Sequence, residues 1–224
     1  MLNVANRIVD FTEFYELANR VEKIPGFLHG PEGAALYTLA AEGYGVGAIV
    51  ELGSLFGRST SWLAAGSQKT QREGVVAIDL FSFSNEESPN LEGMLLEEQE
   101  AILRKDLLDS EHRGRSLNVF QKNIREMNLA ERVTAIVATS EEAAKDWDKP
   151  IRLLFVDADH GYEAVKKDFE KWSPHVCLGG CIAFHDVGDW PGVTRFYEEF
   201  TETDNGFKHL IRVGTLAVAH RVSA

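Results

Sequence analysis

Five short runs of apolar and β-branched residues recur along this chain, at 48–52, 75–79, 133–138, 153–156 and 181–184. None alternates polar with apolar residues as a half-exposed strand would. Runs of this kind fit strands covered on both faces. Amphipathic segments with a helical period separate them, at 59–65, 95–108 with 117–127, 141–147 and 162–172. Parallel neighbours need a crossover between them, so the alternation predicts a mostly parallel, doubly wound α/β sheet with helices on both faces. After Pro191 a short helix over 193–200 leads to two further runs, 207–213 and 215–219, joined at Gly214. These predict a closing antiparallel hairpin at the sheet's edge and bring the strands to seven.

Ahead of the first strand, residues 10–23 place Phe11, Phe14, Tyr15, Leu17, Ala18 and Val21 at helical spacing, and Pro25-Gly26 ends the pattern. A second helix is expected over 31–43, with Pro31 in its first turn and Gly43 near its end. Residues 1–45 therefore read as a helical cap in which only His29 offers an evident chemical group. The stretch from Leu80 to Gly114 is longer than an ordinary connection in such a fold, polar at first and then amphipathic and acidic over 91–108. Lying on the carboxyl side of a strand, it reads as a lid over a substrate or a surface for a partner. A length of 224 residues fits one domain over residues 1–224, carrying the cap and this insertion.

The formal net charge of −12 argues against nucleic acid as the partner, because phosphate-backbone binders present a basic face. No apolar run approaches membrane-span length, and Met1–Arg7 lacks the apolar core of a signal peptide. Cys177 and Cys181 do not have a familiar zinc spacing and read as reduced thiols. A cytoplasmic protein without a membrane partner is expected. The helical cap and the insertion are the surfaces on which a homo-oligomer would form.

Chemistry enters at Ile49-Val50-Glu51-Leu52-Gly53-Ser54-Leu55-Phe56-Gly57-Arg58-Ser59-Thr60, which reads as a strand, a tight turn and a helix start. Gly53 and Gly57 let the backbone turn and approach a ligand closely. Ser59 or Thr60, with the free N–H groups of the helix start, can face a polar or anionic group. Glu51 ends the strand as a hydrogen-bond acceptor. The stretch lacks the Lys-Ser/Thr of a P-loop and the Gly-x-Gly-x-x-Gly spacing of a dinucleotide site. Two readings stand at this point, a nucleotide-like cofactor site and an ordinary strand-to-helix corner with glycines for packing.

Position favours the site. The predicted strands end in Glu51, Asp79, Thr139-Ser140, Asp157 and His185-Asp186, and ligands of open α/β sheets bind beyond the carboxyl ends of the strands. Asp79 follows Gly53 at the distance expected of a ribose-binding acid. Asp157 and Asp186, on neighbouring strands, can share a divalent cation that relieves their repulsion. Oxygen ligands suit Mg²⁺ or Mn²⁺ better than zinc. His160, with an ordinary pKa near ~6.5, is the candidate general base.

Three segments together, residues 50–59, Phe155-Val156-Asp157-Ala158-Asp159-His160-Gly161-Tyr162 and Leu178-Gly179-Gly180-Cys181-Ile182-Ala183-Phe184-His185-Asp186, resemble a class I S-adenosylmethionine-dependent methyltransferase. The narrower resemblance is to small-molecule O-methyltransferases of the macrocin type, and it spans roughly residues 30–219. It implies a Rossmann-like fold and S-adenosylmethionine as cofactor. Glu51, Gly53 and Ser59 would line the cofactor's methionine end, and Ser54 and Gly57 of the same turn would bind the cofactor with them. Asp79 would hold the ribose and Ser140 would lie near the adenine, although relatives often carry Gly-Asp-Ser where this chain has Ala138-Thr139-Ser140. Asp157, His185 and Asp186 would ligate Mg²⁺, and Asp157 and His160 would serve catalysis. The implied reaction is methyl transfer to a hydroxyl of a small molecule, a sugar or glycosylated metabolite. Phe83 and Trp190 are candidates to stack on the acceptor. The alternatives are a metal-dependent hydroxylase-like or nucleotide-sugar-modifying enzyme on the same fold, and a non-catalytic cofactor-binding scaffold.

Overall fold

The computed structural model describes residues 4–83 and 112–223, with the side chains of residues 4–10 excepted. Two helices, α1 (Val4–Val21) and α2 (Gly30–Glu42), precede β1 (Ala48–Leu52), α3 (Arg58–Lys69) and β2 (Val75–Asp79). The chain continues through α4 (Leu117–Glu126), β3 (Val133–Val137), α5 (Ser140–Ala144), β4 (Ile151–Val156) and α6 (Tyr162–Trp172). It closes with β5 (Val176–Phe184), α7 (Pro191–Glu202), β6 (Phe207–Val213) and β7 (Leu216–Arg221). The acidic helix expected over 95–108 and most of the 80–114 insertion lie outside the described residues.

The strands form one sheet of order β3-β2-β1-β4-β5-β7-β6. β1 to β5 pair in parallel, and β7 and β6 add antiparallel, giving the Rossmann-like doubly wound sheet with its closing hairpin. Strand order reverses between β1 and β4, and a crevice opens at such a switch point. The central strands are apolar because helices cover them, and Ile49, Val50, Leu154, Phe155, Ile182 and Phe184 are fully buried. No helix among the described residues is long and apolar enough to cross a membrane.

Register places the strand ends side by side. Leu52 pairs with Ile78 and with Val156, and Val156 pairs with Phe184. The next residues, Gly53, Asp79, Asp157 and His185, therefore emerge together along one edge. The ladder runs one step further, with Gly53 N–H donating to Ile78 O at 2.9 Å, Asp157 N–H to Leu52 O at 2.9 Å and His185 N–H to Val156 O at 3.1 Å.

β5 begins at Val176, ahead of the expected start at 181. Gly179, at φ +78°, accommodates an irregularity over which the register passes from Ile151↔Val176 to Leu153↔Cys181. Gly179-Gly180 is thus a bulge inside a strand and not the turn before one. Both cysteines lie in this strand as free thiols, and burial raises the Cys181 pKa to about 11.

The opposite edge of the sheet is held by a buried cation. Arg152, 1 % exposed, donates from Nε to Glu73 at 2.7 Å and from its terminal nitrogens to Leu39 O at 3.2 Å and Ala40 O at 2.6 Å. Those carbonyls belong to the last turn of α2, where Leu39 O also accepts the Gly43 N–H at 2.9 Å and Ala40 O is paired by the guanidinium.

Candidate active site

The carboxyl edge of β1 to β5 opens into a cavity of about 610 Å³, within the range of small-molecule sites. Its first wall is the turn after β1. Gly53 has φ +87°, and a Cβ there would lie 2.1 Å from the Asp157 carbonyl oxygen. Only glycine lets the β1 and β4 loops approach this closely. Asp79 fastens the turn: Oδ2 accepts the backbone N–H of Ser54 at 2.7 Å and of Leu55 at 2.8 Å, and Oδ1 accepts that of Phe81 at 2.6 Å. Burial raises the Asp79 pKa, against the lowering effect of these three bonds.

Glu51 lies behind that wall, fully buried. Its Oε2 accepts hydroxyl bonds from Ser54, at 2.8 Å, and Thr60. Burial raises its pKa to about 7, the Ser59, Thr60 and Ser54 hydroxyls opposing and the Asp157 charge adding. Of the expected cofactor residues, Gly53, Ser54, Ser59, Asp79 and Ser140 line the cavity, whereas Glu51 and Gly57 do not.

Ser140 opens α5, where Thr139 and Glu142 form a capping box that explains why the helix starts there. Its hydroxyl donates to Asp168 at 2.5 Å and accepts from the Trp172 indole N–H at 2.9 Å. Burial raises the Asp168 pKa to about 6, the Ser140 bond opposing and the Asp159 charge adding.

On the β4–β5 side, Asp157, His160 and Asp186 offer ligand atoms that all lie within 4.8 Å of one another. His160 Nε2 is 3.0 Å from Asp186 and 3.9 Å from Asp157. Burial would lower the His160 pKa, but hydrogen bonds to Asp157 and Asp186 overcome it and raise the value to about 9. In this arrangement His160 holds a proton at neutral pH, unlike the histidine of ordinary pKa anticipated as a base. Asp186 is held correspondingly low by His160 and His185 despite its burial. It is also a non-glycine residue at φ +63°, in the left-handed region that Asp tolerates better than most.

His185 is almost wholly buried. Its Nδ1 lies 3.1 Å from Asp157 and 3.2 Å from Asp186, and its Nε2 lies 3.3 Å from Glu32 on α2. Both ring nitrogens therefore face carboxylates, and the nitrogen grouped with the two aspartates in the cation-sized cluster is that of His160.

Aromatic side chains line the cavity too, as does the segment joining α1 to α2. Trp190 stacks on His160, with ring centroids 4.5 Å apart. Phe83 packs near Phe56. Both expected stacking residues are buried and line the cavity. Arg58, in the first turn of α3, donates to the carbonyls of Ile24 at 2.6 Å, Leu28 at 3.2 Å and Glu22 at 3.1 Å. It holds the 22–29 segment, including Phe27 and His29, against the cavity. Sequence reasoning missed Arg58 and Glu32, because nothing local distinguishes a clamp or a buried acid from an ordinary residue in a first helical turn.

A family model described as a methyltransferase domain matches residues 50–187. Among solved structures, an O-methyltransferase from Bacillus cereus in complex with SAH superposes with TM-score 0.60 at 19 % identity, covering 95 % of this chain and 91 % of that one. The O-methyltransferase TomG from Streptomyces achromogenes, involved in tomaymycin synthesis and solved with SAM, gives 0.61 at 17 %, covering 94 % and 89 %. A cofactor-bound protein from MTB gives 0.63 at 18 %, covering 96 % and 90 %. At these identities the superpositions establish a shared fold, and a shared fold does not fix an acceptor.

Proposed function

The chain belongs to the methyltransferase-domain family matched over residues 50–187, and on that premise we propose that it methylates a hydroxyl of a small molecule, with S-adenosylmethionine as donor and Mg²⁺ as cation. The observation that carries this reading is the convergence of five strand ends on one cavity, with Gly53, Ser54 and Asp79 on the β1–β2 side and Asp157, His160 and Asp186 on the β4–β5 side.

The residues fit a nucleoside. Asp79 lies beside a turn of backbone N–H groups, and Ile78, Leu80 and Ala138 supply apolar surface in the same cavity. They also fit a hard divalent cation, since Asp157 and Asp186 present two carboxylates to one point, and the His160 imidazole can join them there once it gives up its proton. When bound, S-adenosylmethionine supplies an activated methyl on a sulfonium, and its transfer to oxygen releases a thioether.

The chain's own part is positional. The Gly53 turn and Asp79 fix the donor's place, while Trp190, Phe83 and Leu55 wall the acceptor from water. The hydroxyl proton passes to the Asp157 carboxylate, which lines the cavity next to His160 and Asp186. Aromatic side chains beside the Asp157 and Asp186 carboxylates suit a neutral hydroxylated ring such as a sugar.

The experiment is incubation of the protein with S-adenosylmethionine and a panel of sugars, glycosides and phenols, with and without EDTA. A methylated product and S-adenosylhomocysteine are expected, and EDTA suppresses both. Turnover that survives EDTA removes the cation from the scheme and leaves methyl transfer standing. A protein that binds neither S-adenosylmethionine nor S-adenosylhomocysteine contradicts the whole reading.

A further inference from the structure

Glu32 lies 153 residues from His185 in sequence, on a helix outside the sheet, yet its side chain is 1 % exposed. Four donors surround it. Oε1 accepts the Thr215 N–H at 2.7 Å and the Thr215 hydroxyl at 2.8 Å, and Oε2 accepts the His29 N–H at 2.9 Å and faces His185 Nε2 at 3.3 Å. The hairpin turn closes over it so tightly that a Cβ on Gly214 would lie 2.6 Å from Oε1. A carboxylate gripped from the start of α2 and from the β6–β7 turn has little freedom to move. The far side of the His185 ring, through Nδ1, reaches Asp157 Oδ1 at 3.1 Å and Asp186 Oδ1 at 3.2 Å.

We infer that Glu32 is a positioning residue for the reaction centre: through His185 it sets the orientation of Asp157 and Asp186 toward the cation. This rests on the functional reading above. An imidazole bonded on one nitrogen only can rotate about its side-chain torsions and release the carboxylates it contacts. Bonded on both, it is fixed in plane and direction, and it fixes the carboxylate oxygens it meets. Thr215 N–H and its hydroxyl hold Oε1, which leaves Oε2 aimed at the ring. Glu32 thereby ties the geometry at the ends of β4 and β5 to the docking of α2 and of the hairpin. Groups that orient metal ligands in this way typically change metal affinity by about 10–100-fold when lost.

The test compares wild type, Glu32→Gln, His185→Asn and the double variant, by calorimetry with Mn²⁺ and separately with S-adenosylhomocysteine, beside thermal unfolding. Gln keeps the size but puts an amide where an acceptor stood. Asn can still donate from near the Nδ1 position but does not reach Glu32. The expected result for Glu32→Gln is Mn²⁺ affinity about 10–100-fold weaker, with S-adenosylhomocysteine affinity within about twofold. In the His185→Asn background the second change should cost nothing further, since the connection is already cut. Unchanged Mn²⁺ affinity in Glu32→Gln overturns the inference. So does a further full loss in the double variant, or a parallel loss of both ligands, which marks a merely structural acid. If Glu32→Gln does not fold, His185→Asn alone must show the weakening, and wild-type affinity there overturns the inference. A wild type that binds S-adenosylhomocysteine but no Mn²⁺ removes the cation reading itself and this inference with it.

Discussion

Replacing Asp79 with asparagine separates cofactor binding from stability. The carboxylate receives three backbone N–H groups, from Ser54 at 2.7 Å, Leu55 at 2.8 Å and Phe81 at 2.6 Å. Asparagine offers one carbonyl oxygen, so its amide N–H₂ must face at least one of those donors. One charge-assisted bond is lost, worth about 1.5–3 kcal/mol, and the others lose their charge. If the strained turn is what holds the nucleoside, that loss appears as S-adenosylhomocysteine affinity about 10–150-fold weaker. Burial works in the opposite sense on stability, because it already raises the Asp79 pKa and a neutral amide escapes that cost. The Tm should therefore move by only a few degrees, at roughly 2–4 °C per kcal/mol for a chain of this size. Calorimetric titration beside differential scanning calorimetry reads both quantities. Affinity within about twofold of wild type, at any Tm, would refute the role given to Asp79.

Other expectations follow from the same geometry. Ala at Gly53 would place a Cβ 2.1 Å from the Asp157 carbonyl, so the turn must shift; S-adenosylhomocysteine affinity should fall at least about tenfold, and wild-type affinity speaks against the close approach. Arg152→Met leaves the buried Ala40 carbonyl without its donor, while Glu73 keeps Arg72 at 3.4 Å, and should destabilise by about 1–3 kcal/mol in urea, while cofactor affinity of the folded protein is unchanged because the site is on the other edge. Asp168 has its pKa raised from 3.8 to about 6, so the folded state binds the proton more tightly and this group's contribution to stability declines as pH rises through that window. Asp168→Asn should flatten the decline, by up to about 3 kcal/mol; an unchanged slope in unfolding experiments between pH 4 and 7 contradicts the assignment.

The parts of this architecture that follow from local pattern were legible in the sequence. Val75–Asp79 and Tyr162–Trp172 have the expected limits because their periodicity and burial coincide. The alignment of Asp79, Asp157 and His185 was readable as strand ends, since parallel register carries one end of each strand to the same edge, whereas Glu51 pairs with Ala77 and Phe155 inside the sheet. What depends on distance in three dimensions was not. Glu32 reads as a first-turn acid of a peripheral helix, and only the fold brings it to His185. The protonated state of His160 comes from Asp157 and, 3.0 Å away beyond the end of another strand, from Asp186. Arg58 reads as an exposed helix start, yet it closes the chain between α1 and α2 over the cavity. Trp190 and Phe83 read as loop aromatics at the surface, and they are buried because the walls that enclose them come from elements far along the chain.

A crystal structure grown with S-adenosylhomocysteine decides whether the cavity at the carboxyl edge of the sheet is the donor site. One molecule is expected in the cavity, its nucleoside between Asp79 and Ser140 and its sulfur directed toward Asp157, His160 and Asp186. A cavity left empty at saturating ligand, or a nucleoside bound away from the carboxyl edge of β1 and β2, contradicts that assignment.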